Sequence, residues 1–395
     1  MPPKTAVISV SMSSVLVLGI LWFLLWPKLG NESLRPSPPR IKRPTSASRH
    51  PPTATIPLHL PTPREVRGIY LTGWTAGNAT SLVKAVYYLK QYHLNTLVID
   101  VKDDDGRLSF PLPGTWADSL GADDHKIADP KDMLIYLHSQ GIYVIGRLVT
   151  FCDPSLSHLK PDLAIRQNGQ LWLDNRGLSW ADPTQSWVQR YNIQIAVAAA
   201  KLGFDEIQFD YVRFPAAPWV ATGTTAATRT SAITNFLTQA VAAIHKAGVP
   251  VSADVFGLTT IAHSDMGIGQ LYQPLAGVVD YISPMLYPSL YAPYTFKEAN
   301  PNGDPFRTVY QSLLGAAEKL KGDKNAHTRP WIQDYTLGVP AYQAPQVDNE
   351  FQALSAAGIP SFLLWNPGNV YSPGIDPRLA NVAQTVYAPR SEGKK

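Results

Sequence analysis

Cysteine is almost absent from this chain of 395 residues, because Cys152 is the only one. One thiol forms no disulfide within a chain and cannot supply the several sulfur ligands of a structural zinc site. Three motifs are missing as well: a Gly-x-Ser-x-Gly elbow, a His-Glu-x-x-His pair, and a glycine-rich loop after any predicted strand. Their absence argues against an acyl-transfer triad, a zinc hydrolase and a nucleotide-binding open sheet. We therefore expect no metal and no other cofactor.

Basic charge is concentrated at the N-terminal end. Residues 1–65 hold eight Lys or Arg and two Asp or Glu, a net +6, which leaves −2 for the rest of a chain whose formal charge is +4. The body of the protein is thus slightly acidic, and this argues against a nucleic-acid partner. Hydrophobic residues make up 45% of the chain, with ten Trp and eighteen Tyr, enough for a large core and an aromatic cleft.

An uncharged apolar run covers residues 5–26. A helix of this length crosses a bilayer core, and no clear cleavage site comes after it. Residues 1–26 are therefore predicted to be an uncleaved transmembrane signal anchor, with a cleaved signal peptide as the alternative. Basic residues after the run favour a cytoplasmic location for the rest of the chain, whereas a short tail before a large domain is typical of export. We expect a single-pass protein of the cell membrane with its domain on the extracytoplasmic side.

Residues 27–63 are rich in Pro, Ser, Thr and basic residues and poor in aliphatic ones. Such a segment cannot bury enough apolar surface to fold, and its prolines keep it extended. We interpret it as a disordered linker. It leads into a folded domain over residues 64–370 and a C-terminal tail over residues 371–395.

Eight strand-like runs alternate with helical stretches in the folded domain. The predicted strands cover residues 66–74, 96–102, 143–151, 206–214, 249–257, 281–287, 330–335 and 361–365. Asp129-Pro130 and Asp182-Pro183 each predict an N-cap with proline at the first helical position, and the fifth connection has the weakest helical pattern. The alternation predicts an α/β fold, a (β/α)8 TIM barrel, with a doubly wound open sheet as the competing arrangement.

The fourth predicted strand ends in a carboxylate. Ile207 and Phe209 lie on one face of this strand, with Gln208 and Asp210 on the other, because strand side chains alternate. The carboxyl ends of barrel strands carry catalytic groups, which makes Asp210 a catalytic candidate. The structural alternatives are that Asp210 caps a turn or pairs with Arg213.

Asp254 ends the fifth predicted strand and is therefore a neighbour of Asp210. Strands lie about 4.8 Å apart, so the two carboxyls suit the ~5–5.5 Å separation of a retaining glycosidase pair, or the wider one of an inverting pair. Two acids in one aromatic cleft can take different pKa values, as glycoside hydrolysis requires.

Further polar and aromatic side chains are predicted at the same strand ends. Asp100 and Lys102 share a face of the second strand and predict an inward salt bridge below the cleft. The acidic residues after them, 103–105, lack the spaced ligands of a calcium loop, so we prefer a hydrogen-bonded loop to a metal site. The candidate substrate-binding residues are Trp74, Asp100, Lys102, Arg147, Arg213, Tyr287, Trp331, Gln333 and Trp365. For any single tryptophan, core packing is the alternative role.

Four stretches of the sequence resemble a known family. They are residues 66–70 with Gly73-Trp74, residues 98–103 with Asp105-Gly106, Phe209-Asp210-Tyr211-Val212-Arg213-Phe214-Pro215, and Ala253-Asp254-Val255-Phe256-Gly257. They are similar to the bacterial "putative glycoside hydrolase domain" family, a barrel of the α-amylase-like type, over about residues 64–370. The resemblance implies a barrel and a hydrolase of glycosidic bonds, and it names no substrate.

A more limited similarity links residues 203–211 and Met285-Leu286-Tyr287 to chitinase-like barrels of glycoside hydrolase family 18. Those enzymes carry a glutamate two residues after the final aspartate, whereas this chain has Val212. Substrate-assisted cleavage by that glutamate is therefore not expected.

The sequence thus predicts an exported, membrane-anchored glycoside hydrolase that acts on a poly- or oligosaccharide. By analogy with α-amylase-type barrels, Asp210 is assigned as nucleophile and Asp254 as general acid/base. The alternative from another class is a catalytically idle barrel that binds carbohydrate or cell-wall polymer. A polysaccharide deacetylase would need a metal site, for which the sequence shows no ligand set.

Overall fold

A computed structural model describes residues 57–382, apart from 218–219, 221–222 and 323–326. The predicted membrane span over residues 5–26 lies outside this part of the chain. Among the described residues, no helix combines the length and the apolar character that crossing a membrane requires.

Eight parallel strands form one closed sheet. Each strand pairs with the next along the chain, and the last strand pairs with both the seventh and the first. In chain order they are β1 Arg67–Leu71, β2 Thr96–Lys102, β3 Tyr143–Val149, β4 Glu206–Asp210, β5 Val251–Phe256, β6 Tyr281–Leu286, β7 Trp331–Gln333 and β8 Phe362–Trp365. The closure confirms the predicted (β/α)8 barrel and excludes the open sheet.

Helices connect the strands on the outside of the barrel. They are α1 Ala79–Gln91, α2 Pro130–Ser139, α3 Ser186–Leu202, α4 Ala226–Ile244, α5 Tyr272–Ala276, α6 Pro305–Lys319 and α7 Ala344–Ala356. The weak fifth connection carries the five-residue α5, as its pattern indicated. The connections also contain the short helices Gly73–Gly77, Trp116–Ser119 and Pro154–Leu159, and a small hairpin of Arg166–Gln167 with Gln170–Leu171.

Two aspartate–proline pairs were predicted to start helices, and one does so. Asp129 accepts a hydrogen bond from the amide of Asp132, which places Pro130 at the first position of α2. The prediction for Asp182-Pro183 is wrong by one turn. Asp182 accepts hydrogen bonds from the amide and hydroxyl of Thr184 within a turn, and α3 begins two residues later.

The alternation of side chains along β4 separates the core from the site. Ile207 and Phe209 pack outwards into the hydrophobic layer under the helices, where the Phe209 ring meets the edge of Phe236 at 5.1 Å. Gln208 points inwards and donates to the Ser283 hydroxyl of β6 at 3.3 Å. Asp210 lies on the same inward face, so the predicted division of this strand is confirmed.

The described end of the predicted linker, residues 57–63, crosses the base of the barrel, where the strands begin. The amide of Leu60 donates to Oδ1 of Asp205 at 2.7 Å, directly before β4. The hydroxyls of Thr62 and Tyr143, the first residue of β3, lie 3.2 Å apart. Leu60 also packs against the apolar cluster inside the barrel. The N-terminal end of the described chain is therefore attached to the face opposite the strand ends.

Candidate active site

Asp210 is the last residue of β4, and its carboxyl is held from two sides. Oδ2 accepts hydrogen bonds from Nη2 of Arg147 at 2.6 Å and from Nε at 3.0 Å. Oδ1 accepts a hydrogen bond from the amide of Tyr211 at 2.6 Å. Both side chains of this ion pair are buried, so Arg147 is the fixed partner of Asp210.

Asp254 lies beside Asp210 at the mouth. Phe209 pairs with Ala253 in the β4–β5 register, so the residue after each of them, Asp210 and Asp254, comes at the same level on adjacent strands. Burial raises the pKa of Asp254 well above its ordinary value, and the negative charge of Asp210 raises it further. Oδ1 of Asp254 accepts one hydrogen bond, from the indole Nε1 of Trp331 at 2.8 Å.

Asp100 of β2 completes a chain of buried polar contacts. Its Oδ1 accepts a hydrogen bond from Nη1 of Arg147 at 2.6 Å, and its Oδ2 accepts one from the hydroxyl of Tyr70 at 2.6 Å. Burial raises the pKa of Asp100 to about 6, against the opposing effect of Arg147. One guanidinium therefore joins the carboxyls of Asp100 and Asp210.

Aromatic rings form one wall of the mouth. Trp365, at the end of β8, stacks on Tyr70 of β1 with centroids 4.2 Å apart and meets Trp331 edge to face at 5.5 Å. The guanidinium of Arg147 lies 5.3 Å from the Tyr70 ring and 5.2 Å from the Trp365 ring. The wall and the carboxyls are thus one packed body.

Three residues predicted to contact sugar are buried in this body. The amide of Gln333 accepts from Ser289 at 2.8 Å and donates to the carbonyl of Tyr335 at 2.9 Å. Tyr287 packs edge to face on Tyr335 at 5.8 Å. Trp331 is 1% exposed. In this structure the three side chains shape the mouth from behind and offer no free surface to a ligand.

The predicted Asp100–Lys102 salt bridge is wrong. A register shift between these residues interrupts the pairing of β2 with β3, so the two side chains do not point to the same side. The Nζ of Lys102 lies 2.7 Å from Oδ2 of Asp153 and 2.7 Å from Oδ1 of Asn192, on α3. Lys102 is fully buried outside the mouth and offers no free surface to a ligand.

Trp74 and Arg213 take different positions from those expected of strand-end residues. Trp74 lies beyond β1, in the short helix Gly73–Gly77, and is 61% exposed. Arg213 is buried with its guanidinium over the rings of Trp180 and Phe256, 4.6 and 4.7 Å from their centroids. The alternative in which Arg213 pairs with Asp210 is therefore wrong.

The acidic run after β2 surrounds a lysine. Lys126 contacts Asp103, and its Nζ lies 3.7 Å from Asp105 and 3.6 Å from Asp124. Burial and the neighbouring Asp105 raise the pKa of Asp103 to about 7, against the opposing charge of Lys126. The lysine supplies the positive charge that a cation would bring, and the described residues include no cluster of ligands suited to a metal ion.

Two residues of the site were not predicted from the sequence. Tyr70 is an inward residue of β1, and the alternation of that strand could have identified it. Tyr211 has a φ of +48°, a conformation that is rare outside glycine. This turn brings its amide to the Asp210 carboxyl. No residue type marks such a turn, so the sequence carried no signal for it.

Comparison with known proteins identifies a family for most of the chain. Residues 68–371 match a family described as "Putative glycosyl hydrolase domain". No curated protein sequence matches the chain. A hypothetical protein from Ruminiclostridium thermocellum ATCC 27405 is 39% identical, with 47% of this chain and 97% of that chain covered and a TM-score of 0.43.

Two other solved structures are similar at 13% identity. The PgaB (BpsB) glycoside hydrolase domain from Bordetella bronchiseptica has a TM-score of 0.58, with 77% of this chain and 95% of that chain covered. The α-galactosidase TtGalA from Thermus thermophilus has a TM-score of 0.50, with 80% and 60% covered. Likenesses at this identity support the barrel fold alone.

Proposed function

Because this chain belongs to the family of "putative glycosyl hydrolase" domains, we propose that it hydrolyses glycosidic bonds of a poly- or oligosaccharide between Asp210 and Asp254. The observation that carries the proposal is the difference between the surroundings of two neighbouring carboxyls. Asp210 is bound by a guanidinium and a backbone amide, whereas Asp254 is buried and receives one neutral donor. Such a pair separates a carboxylate from a protonated acid in one site.

Asp254 has the surroundings of a general acid. Its raised pKa keeps the proton in place at a pH where an ordinary aspartate has lost it. A proton on this carboxyl can pass to the oxygen of the scissile bond as that bond breaks. Asp254 then becomes a carboxylate and is ready to take a proton from water in the second half of the reaction.

Asp210 has the surroundings of a nucleophile. Arg147 and the Tyr211 amide fix both oxygens of its carboxylate at the mouth. Attack on the anomeric carbon forms a covalent glycosyl–aspartate, which water cleaves with Asp254 as base. A spacing of adjacent strands of roughly 4.8 Å supports the short separation of ~5–5.5 Å that this retaining route uses.

The rim of the mouth supports binding of an extended chain. Four large apolar side chains are exposed on the loops after four consecutive strands of the ring, β6, β7, β8 and β1: Tyr294, Val339, Val370 and Trp74. Sugar rings pack on such surfaces while their hydroxyls stay in water. These four side chains form an apolar arc along the rim. The arc suits a substrate that extends beyond the one sugar unit bound between the two carboxyls.

The proposed enzyme works outside the cell, tethered to the membrane. The support is the uncharged apolar run over residues 5–26 and the proline-rich linker after it. A run of this length and polarity matches a single membrane-spanning helix, and the short tail before a large domain supports a barrel on the extracytoplasmic side.

The test begins with the purified protein and a panel of cell-wall and storage polysaccharides, with detection of new reducing ends. On a substrate found in this way, Asp210→Asn is expected to lower turnover by at least roughly 10,000-fold, because an amide cannot attack the anomeric carbon. Asp254→Ala is expected to keep most of its activity on an activated aryl glycoside, because that leaving group needs little protonation. Added azide should partly restore the activity that the variant has lost.

Asp304→Asn is the matched control. Asp304 caps α6, and asparagine caps a helix equally well, so this variant removes a negative charge and should keep full activity. Full activity of Asp210→Asn would remove Asp210 from the nucleophile role, whereas binding of glycans without any new reducing ends would place the protein in the idle, carbohydrate-binding class. Equal loss on both substrates in Asp254→Ala, without rescue by azide, would remove Asp254 from the acid/base role.

A further inference from the structure

Trp331 reaches Asp254 from a distant part of the chain, past the intervening strand β6. It begins β7, where it pairs with Met285 and Leu363 of the strands on either side. Its indole Nε1 lies 2.8 Å from Oδ1 of Asp254, 77 residues away in sequence. Among the described residues, it is the one side chain that forms a hydrogen bond with this carboxyl.

The indole is held rigidly. Its ring meets Trp365 at an interplanar angle of 89°, and Trp365 in turn stacks on Tyr70. Tyr70 donates to Asp100, which also binds Arg147. The donor to Asp254 and the donor to Asp210 therefore belong to the same packed body.

The chemistry of indole makes this contact directional. The Nε1–H of tryptophan is a donor and never an acceptor. The oxygen that faces it must therefore be an acceptor, in the acid as well as in the carboxylate. The carbonyl oxygen of a carboxylic acid is a better acceptor than its hydroxyl oxygen, so the indole N–H at Oδ1 favours the form of protonated Asp254 that carries its proton on Oδ2.

We propose that Trp331 is a positioning residue of the proposed glycoside hydrolase, which selects Oδ2 of Asp254 as the oxygen that carries and delivers the proton. This inference rests on the function proposed above. The indole N–H binds Oδ1 before and after proton transfer, so the same contact serves Asp254 as acid in the first step and as base in the second. The bond also favours the charged form of Asp254 and so opposes the effect of burial.

Trp331→Phe tests the assignment, because it keeps an aromatic ring and removes the donor. The infrared band of the protonated Asp254 carboxyl, identified by its loss in Asp254→Asn, gives the pKa without any substrate. We expect this pKa to rise in Trp331→Phe. On the natural glycan, kcat should fall by about 10- to 100-fold. On an activated aryl glycoside, kcat should fall by less than about 3-fold. The high-pH limb of the rate profile should move to higher pH.

Trp180→Phe is the matched control for the loss of a buried indole donor. Trp180 is also 1% exposed, and its Nε1 donates to Asp174 at 3.3 Å and not to either carboxyl of the pair. This variant should leave the Asp254 band unchanged. If Trp331→Phe does not fold, site-specific replacement of Trp331 by β-(3-benzothienyl)alanine removes the donor and keeps the shape.

The outcomes separate the two proposals. An unchanged Asp254 pKa, or equal losses on both substrates, would overturn the positioning role. A raised pKa with selective loss on the natural glycan would support it. A raised pKa in a protein that cleaves no glycan would uphold the contact with Asp254 and overturn the hydrolase.

Discussion

Two guanidinium nitrogens of Arg147 donate to a single carboxyl oxygen of Asp210: Nη2 lies 2.6 Å and Nε 3.0 Å from Oδ2. The remaining nitrogen, Nη1, binds Asp100 at 2.6 Å. All three side chains are buried. A single positive charge therefore holds two negative groups inside the barrel, and the arrangement of the site depends on it.

Arg147→Met should destabilise the protein and remove activity. The change leaves two buried carboxyls without their cation, and loss of one member of a buried ion pair costs about 3–5 kcal/mol. Urea unfolding gives the free energy of unfolding, and the glycan assay gives the activity of the folded fraction.

Arg329→Met is the control for this prediction. Arg329 forms an equally buried pair with Glu206 at the base of the barrel, so it should lose similar stability and keep its activity per folded molecule. Arg147→Met with normal activity would show that the pair is structural.

Asp210→Asn should lower the pKa of Asp254. The charge of Asp210 is the second-largest cause that raises this pKa, after burial, and asparagine removes it. The infrared band of protonated Asp254 should therefore disappear at lower pH in Asp210→Asn than in the unmodified protein. A band that titrates identically in both proteins would mean that the two carboxyls do not interact.

Asp254→Asn should gain stability relative to the unmodified protein as the pH rises. A carboxyl whose folded pKa is raised holds a proton that the unfolded chain has released, so its contribution to stability falls as pH rises above the ordinary value of 3.8. Asparagine has no proton to lose. Urea unfolding at pH 4 and pH 8 should show the variant relatively more stable at pH 8, and a constant difference would contradict the assignment.

Lys126→Met should destabilise the protein more at pH 8 than at pH 5. The lysine neutralises Asp103, Asp105 and Asp124, and its loss should raise the pKa of Asp103 further above about 7. Protonation of Asp103 relieves the repulsion at low pH, so we expect a loss of about 2 kcal/mol at pH 8 and a smaller one at pH 5. Equal losses at the two pH values would exclude a titrating cluster.

A protein that starts at Arg64 should be less stable than one that starts at Pro57. The shorter protein loses the Leu60 amide on Oδ1 of Asp205, which leaves this buried acceptor unpaired at a cost of roughly 1–3 kcal/mol, and it also loses the Thr62 contact with Tyr143. Urea midpoints of the two proteins measure the difference. Identical midpoints would show that residues 57–63 add nothing to the fold.

The fold could be predicted because it depends on patterns that repeat along the chain. Eight apolar runs marked the eight strands, and β2 was located to the residue. The inward face of β4 followed from alternation alone, which placed Gln208 and Asp210 together. Strand ends were less certain: the predicted fourth strand continued to residue 214, whereas β4 ends at Asp210, because the positive φ of Tyr211 ends it.

The contacts inside the site could be predicted only in part. Asp210 and Asp254 were matched because adjacent strands keep their register. Lys102 was misplaced because one register shift in β2 reverses the side on which it lies. Trp331 was taken for a sugar platform because sequence position shows that a ring is near a strand, and it does not show which partner the ring nitrogen meets.

The crossing of residues 57–63 under the barrel fixes a direction for the whole molecule. Everything that precedes Pro57 joins the domain at the floor, on the opposite side from the two carboxyls. A tether attached there would begin on the far side from the opening, so the attachment point itself would not limit the direction from which a polymer approaches. In the proposed enzyme, such an attachment would allow action on a strand of an immobile network, since neither end of that strand would have to pass the attachment point.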